Sequence, residues 1–114
     1  MNLAEIARTL NLTLLTDAKD FSQIQPSSGY TSDMLSCVMS GAPHEGIWIT
    51  LQAHGNIVAV AALLDLAAII ITENAIPEPA TIARANEKGI TLYATTAGSF
   101  EIAGRLWAMG LRTE

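Results

Sequence analysis

The chain has 114 residues, close to the usual size of one domain, and no long polar or Pro/Gly-rich stretch divides it. Half of the residues are hydrophobic and only 15% are charged, so the composition provides ample apolar material for a core and favours a buried partner surface as well. The formal charge of -5, from 11 acidic and 6 basic residues, repels phosphate backbones and anionic lipid, which argues against nucleic acid and membranes as partners.

The first part of the chain is predicted to form short elements. Apolar residues recur at helical spacing over residues 3–10, Asn2 can cap this helix, and Glu5 completes a capping-box pattern. Residues 12–15 and 21–24 are each predicted to form a brief strand, because they flank a polar turn.

A second helix is predicted after a loop at residues 25–29. Ser32 and Asp33 form a pair that can cap it, and it is expected to end before Gly41. Its inner face is predicted to include Cys37 together with Leu35, Val38 and Met39.

The pattern then becomes regular and predicts a βαβ unit. Residues 47–51 and 68–72 are predicted to form strands, and Asn56 is predicted to cap a helix over residues 57–64. The run of isoleucines without polar alternation indicates a strand covered on both faces, as in parallel sheets flanked by helices. The apolar run is shorter than the roughly 20 residues that a bilayer requires, and Asp65 interrupts it.

A further repeat follows directly. Pro79 is predicted to begin a helix, Gly89 to end it by C-capping, and residues 90–94 to form the next strand. The residues of this helix predicted to point inward are Ile82, Ala83 and Ala85.

The last helix is predicted to be capped by Ser99 or Thr96 and closed by Gly110. Its apolar residues are Phe100, Ile102, Ala103, Leu106 and Trp107. The alternation of strands and helices predicts an α/β fold: a single domain over residues 1–114 with a mainly parallel sheet built from right-handed βαβ repeats.

Ligands of such sheets bind outside the carboxyl ends of the strands, where loops and helix N-termini present unpaired backbone N–H groups. Three loops are predicted to reach this end, at residues 52–56, 72–74 and 95–99. The first combines several polar side chains with a glycine that lets a ligand approach the backbone. The predicted ligand-binding residues are Gln52, His54, Gly55, Asn56, Thr72, Thr95, Thr96 and Ser99.

These residues also have a purely structural interpretation. Asn56 can serve only as an N-cap, His54 as a solvated side chain and Gln52 as a partner for neighbouring backbone. The hydroxyl residues of the third loop are ordinary helix-capping types that need not hold a phosphate or another anion. Glu73, at the same end of the sheet, would repel an anion and argues against a highly charged ligand.

The sequence lacks the motifs of the common catalytic sites. It contains no G-x-x-x-x-G-K-[ST] phosphate loop, no G-x-G-x-x-G after a strand and no G-x-S-x-G elbow. Cys37 is expected to be a core residue rather than a nucleophile. His44 and His54, without a second cysteine, make a poor metal site. The sequence therefore predicts a protein that is not an enzyme and uses no metal and no cofactor.

The cysteine content and the first residues bear on the compartment. A lone cysteine cannot form an internal disulfide, and the start of the chain lacks the basic and apolar regions of a secretory signal. A cytoplasmic location is therefore expected.

Three stretches carry a resemblance to a known family: GYTSDMLS at residues 29–36, WITLQAHGNIVAVA at 48–61 and IIIT at 69–72. Together they resemble the stand-alone branch of the DRTGG domain family, and the likeness covers nearly the whole chain. The resemblance implies an α/β domain similar to the N-terminal domain of HPr kinase/phosphorylase, a regulatory or dimerising module that is often joined to CBS domains. It also implies an association with hydrogenase or redox systems. The kinase activity of such relatives belongs to a separate phosphate-loop domain, whose motif is missing here.

The sequence departs from the family's name-giving pattern at two places. His54-Gly55-Asn56 lies where Asp-Arg is expected, and Thr72-Glu73-Asn74 lies where Thr-Gly-Gly is expected. Both departures fall on the predicted ligand-binding loops.

The leading hypothesis is a non-catalytic regulatory or ligand-sensing module that forms a homodimer and binds a small molecule or nucleotide at the carboxyl ends of its strands. The alternative is a protein–protein interaction or assembly subunit that has no small-molecule ligand and docks its apolar surface on another protein. The two hypotheses differ in whether the carboxyl end of the sheet holds an open cavity or is filled by the protein's own side chains.

Overall fold

A five-stranded sheet lies between two layers of helices in the computed structural model, which describes residues 1–113. Within these residues the strands are β1 (Thr13–Leu14), β2 (Gly29–Thr31), β3 (Ile47–Thr50), β4 (Ala68–Ile71) and β5 (Leu92–Ala94). Their spatial order is β1-β5-β4-β3-β2; strands β2 to β5 run parallel, and β1 pairs antiparallel with β5. The helices are α1 (Leu3–Thr9), α2 (Leu35–Gly41), α3 (Asn56–Leu64), α4 (Pro79–Lys88) and α5 (Ser99–Met109).

Side chains of the inner strands alternate between two apolar cores, because successive residues of a strand point to opposite faces. Ile69 and Ile71 pack with α2, α3 and α4, the helices that connect the parallel strands. Ile70 and Tyr93 pack with α1 and α5 on the opposite face. Crossovers of the same hand place the connecting helices together on one face. The predicted α/β fold with a mainly parallel sheet covered on both faces is confirmed.

Several predicted helix boundaries are confirmed where the signal is local. The Asn2 side chain accepts a hydrogen bond from the Glu5 N–H at 2.9 Å, as the capping-box pattern predicts. Pro79 is the first residue of α4. Gly89 and Gly110 end α4 and α5 with φ values of 69° and 108°, a left-handed backbone that favours glycine.

Two predictions for the segment before β3 are wrong. Residues Phe21–Gln23 form one turn of 3-10 helix instead of a strand, because the Asp20 carboxylate accepts the Ser22 N–H and supports a helical turn. Gly29, expected to be the end of a loop, begins the strand β2 (Gly29–Thr31), which pairs with β3. A strand of three residues has too few positions to show an alternating pattern, so its pairing with a distant strand decides its conformation.

The predicted role of Asp33 and the predicted burial of Cys37 are also wrong. The N-cap of α2 is Met34, whereas the Asp33 carboxylate accepts a hydrogen bond from the Leu51 N–H at 2.8 Å. Cys37 is exposed, and Val38 is the buried residue of α2. The helix α2 has two turns and lies over β2 and β3, so only a narrow part of its surface meets the sheet.

In two helices only some of the apolar residues meet the sheet. In α4, Ala83 is exposed and Thr81 is buried instead. In α5, Ile102 and Leu106 are buried, while the side chains of Phe100 and Trp107 are 94% and 51% exposed. None of the helices within residues 1–113 is long and apolar enough to cross a membrane.

Candidate functional site

The loops at the carboxyl end of the sheet diverge between β4 and β5. After β3 and β4 the chain enters α3 and α4 on one face of the sheet, whereas after β5 it enters α5 on the other face. Neighbouring strands whose loops leave toward opposite faces open a crevice between them, which is where ligands of open α/β sheets bind. The fold therefore directs attention to the loops that follow β4 and β5.

The predicted capping role of Asn56 is wrong. Asn56 is the first residue of α3, Gly55 occupies the N-cap position, and no side chain at that position makes a cap hydrogen bond. The neighbouring histidine provides the missing acceptor, because His54 Nδ1 accepts a hydrogen bond from the Asn56 N–H at 3.3 Å. His54 is exposed, so this interaction holds the helix start without burying the ring.

Gln52 bonds to the protein's own backbone. Its Nε2 donates to the Asp33 carbonyl at 3.2 Å, and its backbone N–H donates to the Thr50 hydroxyl. The Asp33 carboxylate in turn accepts the Thr50 hydroxyl at 2.8 Å and the Leu51 N–H. Sequence reasoning missed this role of Asp33, because its partners lie on and just after β3, far from it in the sequence. These contacts tie the turn after β2 to the loop after β3.

The start of α5 is held by a carboxylate from the loop after β4. Glu73 Oε2 accepts a hydrogen bond from the Ser99 N–H at 2.8 Å, and the Thr72 and Ser99 hydroxyls bond to each other. The N-cap position belongs to Gly98, so the prediction that Ser99 or Thr96 caps this helix is wrong. A Cβ at Gly98 would lie 3.0 Å from Glu73 Oε2, so glycine permits this close approach.

Glu73 thus takes the place that an anionic ligand would occupy at a helix N-terminus. Its backbone has a φ of 61°, and Asn74 follows with a φ of 57°. Two consecutive left-handed residues favour glycine, and these are the two positions at which the DRTGG pattern has Gly-Gly. The backbone geometry is therefore the one that the pattern implies, although the side chains differ.

A cavity of about 250 Å³ opens beside this crevice, on the face of the sheet covered by α4. Its walls come from the end of β5, the short edge strand β1 and the loop after β4. The lining residues are Thr13, Leu15, Asn74, Ala75, Ile76, Pro77, Ala94, Thr95 and Thr96. Ala94, whose side chain is small, lies in the wall that β5 contributes.

Only some of the predicted site residues line the cavity. Thr95 and Thr96 line the cavity, and the Thr95 hydroxyl accepts the Ala97 N–H at 3.1 Å. The other predicted residues, Gln52, His54, Gly55, Asn56, Thr72 and Ser99, do not line it. Asn74 belongs to one of the predicted loops, although it was not named as a site residue. Residues 75–77 were not predicted, because an apolar loop carries no local signal for ligand binding.

One titratable group in the described chain is buried without a partner, but it lies on the face of the sheet opposite the cavity. Tyr93 on β5 is 2% exposed, and its hydroxyl has no hydrogen-bond partner within residues 1–113. Burial raises the pKa of this phenol above its usual value of 10.0. Its ring packs against Phe21 in the core beneath α1 and α5, on the face opposite the cavity. Residues 1–113 contain no cluster of three or more His, Cys, Asp or Glu side chains arranged to hold a metal.

Comparisons with known proteins identify the fold. No family model matches the chain, and no curated protein matches it. A solved structure of the CBS and DRTGG domains of the regulatory region of Clostridium perfringens pyrophosphatase, complexed with the activator diadenosine tetraphosphate, is similar with a TM-score of 0.75 and 21% identity. The similarity covers 96% of this chain and 47% of that chain, so this chain spans about half the length of its neighbour. The chain has a DRTGG-like α/β fold.

Proposed function

We propose that this DRTGG-like domain is a non-catalytic regulatory module that senses a small molecule at the carboxyl end of its sheet. The observation that carries the proposal is the cavity of about 250 Å³ beside the point where the loops after β4 and β5 diverge. An open cavity at this position favours a ligand-binding domain over one whose sheet end is filled by its own side chains.

The structural comparison supports the same class of function. The similar structure is a regulatory region, and it is complexed with a nucleotide activator. Because a likeness at 21% identity establishes the fold alone, the regulatory role is a proposal for this chain, and a nucleotide is one ligand class to be tested. Thr95 and Thr96 are the predicted site residues that we propose to contact the ligand.

The non-catalytic part of the proposal rests on what the carboxylates do. Asp33 and Glu73, at the carboxyl end of the sheet, each accept a backbone N–H of the protein itself. They act as structural acceptors, and the sequence contains no phosphate loop to hold a transferring phosphoryl group. We therefore expect neither ATP hydrolysis nor phosphorylation of a protein substrate.

The direct test is a thermal-shift screen of the purified chain against nucleosides, nucleotides including diadenosine tetraphosphate, and other metabolites, followed by calorimetry. A ligand at 100 times its Kd should stabilise the fold by about 2.7 kcal/mol. An ATPase assay on the same sample provides the second readout. Absence of any binder, or turnover that a point variant of this chain abolishes, would contradict the proposal.

The alternative function is an assembly subunit without a small-molecule ligand. The observation that favours it is the exposure of large apolar side chains outside the cavity, with Phe100 94% exposed and Leu63 69% exposed. Under this alternative the chain would bind a protein partner or a second copy through such residues, and no metabolite would shift its melting temperature.

A further inference from the structure

We infer that the cavity beside β5 takes a small ring compound without negative charge, and that Glu73 is the residue that disfavours anions. This inference rests on the proposed function, because it specifies the ligand class of the same site. It is carried by the size of the cavity, the character of its lining and the charges around its rim.

The size of the cavity limits the enclosed part of a ligand to one or two rings. An apolar cavity of about 150 Å³ holds benzene, and drug-sized ligands occupy about 300–1,000 Å³. At about 250 Å³, this cavity has room for a single or fused ring with a short substituent. A dinucleotide as a whole exceeds this volume.

The lining is mostly apolar and carries no charged side chain. Leu15, Ile76, Pro77 and Ala94 provide aliphatic surface, and Ile76 is 79% exposed, so a bound ring would remove it from water. Hydroxyl and amide groups are provided by Thr13, Asn74, Thr95 and Thr96. An anionic group buried here would lack a cationic partner, whereas a hydroxyl or ring nitrogen finds hydrogen-bonding groups.

The charged groups within two residues of the lining segments are all acidic: Asp17, Glu73 and Glu78. Glu73 directly precedes the lining residue Asn74, and its backbone N–H donates to the Ala97 carbonyl beside Thr96 at 2.8 Å. Its carboxylate already accepts the Ser99 N–H of α5. The Glu73 carboxylate therefore already occupies the α5 N-terminus, which would otherwise attract an anion toward this end of the sheet, and its charge disfavours a second anion nearby.

The experiment compares ring compounds that differ only in charge. Tryptophol, tryptamine and indole-3-acetate share one ring, as do tyrosol, tyramine and 4-hydroxyphenylacetate. Each compound is titrated into labelled protein, and the backbone amide shifts are followed by NMR. We expect the alcohols and amines to shift the amides of Asn74, Ile76 and Thr95, and the carboxylates to bind at least threefold more weakly.

Three variants assign the effect to the cavity. Ala94→Leu fills the cavity and should abolish these shifts, whereas Ala108→Leu, at an exposed position of α5, should leave them unchanged. Glu73→Gln keeps an oxygen acceptor for the Ser99 N–H but removes the charge. It should raise the affinity of the carboxylates relative to the alcohols by less than about fivefold, because a unit charge about 4 Å away in water has roughly that effect and Glu73 does not line the cavity.

The outcomes separate this inference from the proposed function. Carboxylates that bind the cavity as tightly as the alcohols would overturn the inference and leave ligand sensing in place. Shifts confined to residues 52–56 would do the same. No binding by any of the six compounds would overturn the inference, while absence of any binder in the metabolite screen would overturn the proposed function itself.

Discussion

At the scale of single residues, the buried hydroxyl of Tyr93 provides a test of the core. Because this hydroxyl has no partner within residues 1–113, Tyr93→Phe removes a group that is desolvated without compensation. We expect the free energy of unfolding to stay the same or rise by up to about 1 kcal/mol. Urea denaturation at pH 7 measures it, and a loss above 1 kcal/mol would show that the hydroxyl has a partner in solution.

The same residue predicts a pH dependence. Burial holds the pKa of Tyr93 in the folded state above 10.0, so ionisation favours the unfolded chain. The stability that the folded state has because its Tyr93 phenol stays protonated is fully present below pH 10. It is lost as the pH rises through the folded-state pKa. The stability of the parent protein should therefore decline more steeply above pH 10 than that of Tyr93→Phe, and parallel declines would contradict the assignment.

His54, and not Asn56, provides the side-chain acceptor at the start of α3. Because the His54 ring accepts the first N–H of α3, His54→Ala should destabilise the fold by about 0.5–1 kcal/mol. Asn56→Ala should be neutral or slightly stabilising, since alanine favours a helix and no cap bond is lost. Chemical denaturation of both variants checks this, and a larger loss in Asn56→Ala would restore the capping role predicted from sequence.

At the scale of elements, Glu73 links the loop after β4 to the start of α5. Glu73→Ala should cost about 1 kcal/mol, because the Ser99 N–H loses its acceptor and the left-handed backbone is kept. Glu73→Gly should cost less, since glycine adopts a φ of 61° without strain. Equal losses in the two variants would mean that backbone strain at this position is negligible.

The elements that could be predicted from sequence are those with local signals. Pro79 and Gly89 bound α4 correctly, because their backbone preferences act wherever they stand in the fold. β2 was missed because its three residues gain their conformation from pairing with β3. Cys37 and Ala83 were expected to be inward-facing, yet both are exposed, because apolar spacing alone does not say how much of a helix meets the sheet.

The sequence predicted the end of the sheet at which the cavity lies, but not most of the residues that line the cavity. The order of strands and helices correctly placed the three loops at the carboxyl end of the sheet. Which side chains line a cavity depends on the face toward which each loop turns, and no local pattern encodes that. Gln52 and His54 bond to nearby backbone, whereas Thr95 and Thr96 line the cavity.

At the scale of the whole molecule, α5 has the exposed apolar surface that the homodimer predicted from sequence would need. Phe100, Gly104 and Trp107 lie along one exposed side of this helix, and nothing lies within 4 Å of a Cβ built at Gly104. We expect a dimer by light scattering at tens of micromolar, because such apolar side chains favour association. Phe100→Glu should yield monomer, and Leu63→Glu on α3 serves as the matched control. A monomeric parent protein would refute the proposed dimer.

The central claim, that this domain senses a small molecule at the carboxyl end of its sheet, is tested most directly by locating a bound ligand. Hydrogen–deuterium exchange with and without a metabolite from the screen compares two ends of the same sheet. A ligand bound in the cavity should protect residues 72–77 and 94–99, around the loops after β4 and β5. The cavity of about 390 Å³ at the opposite end is lined in part by Lys19, Glu45 and Gly89. Protection confined to that end would contradict ligand sensing at the carboxyl end of the sheet.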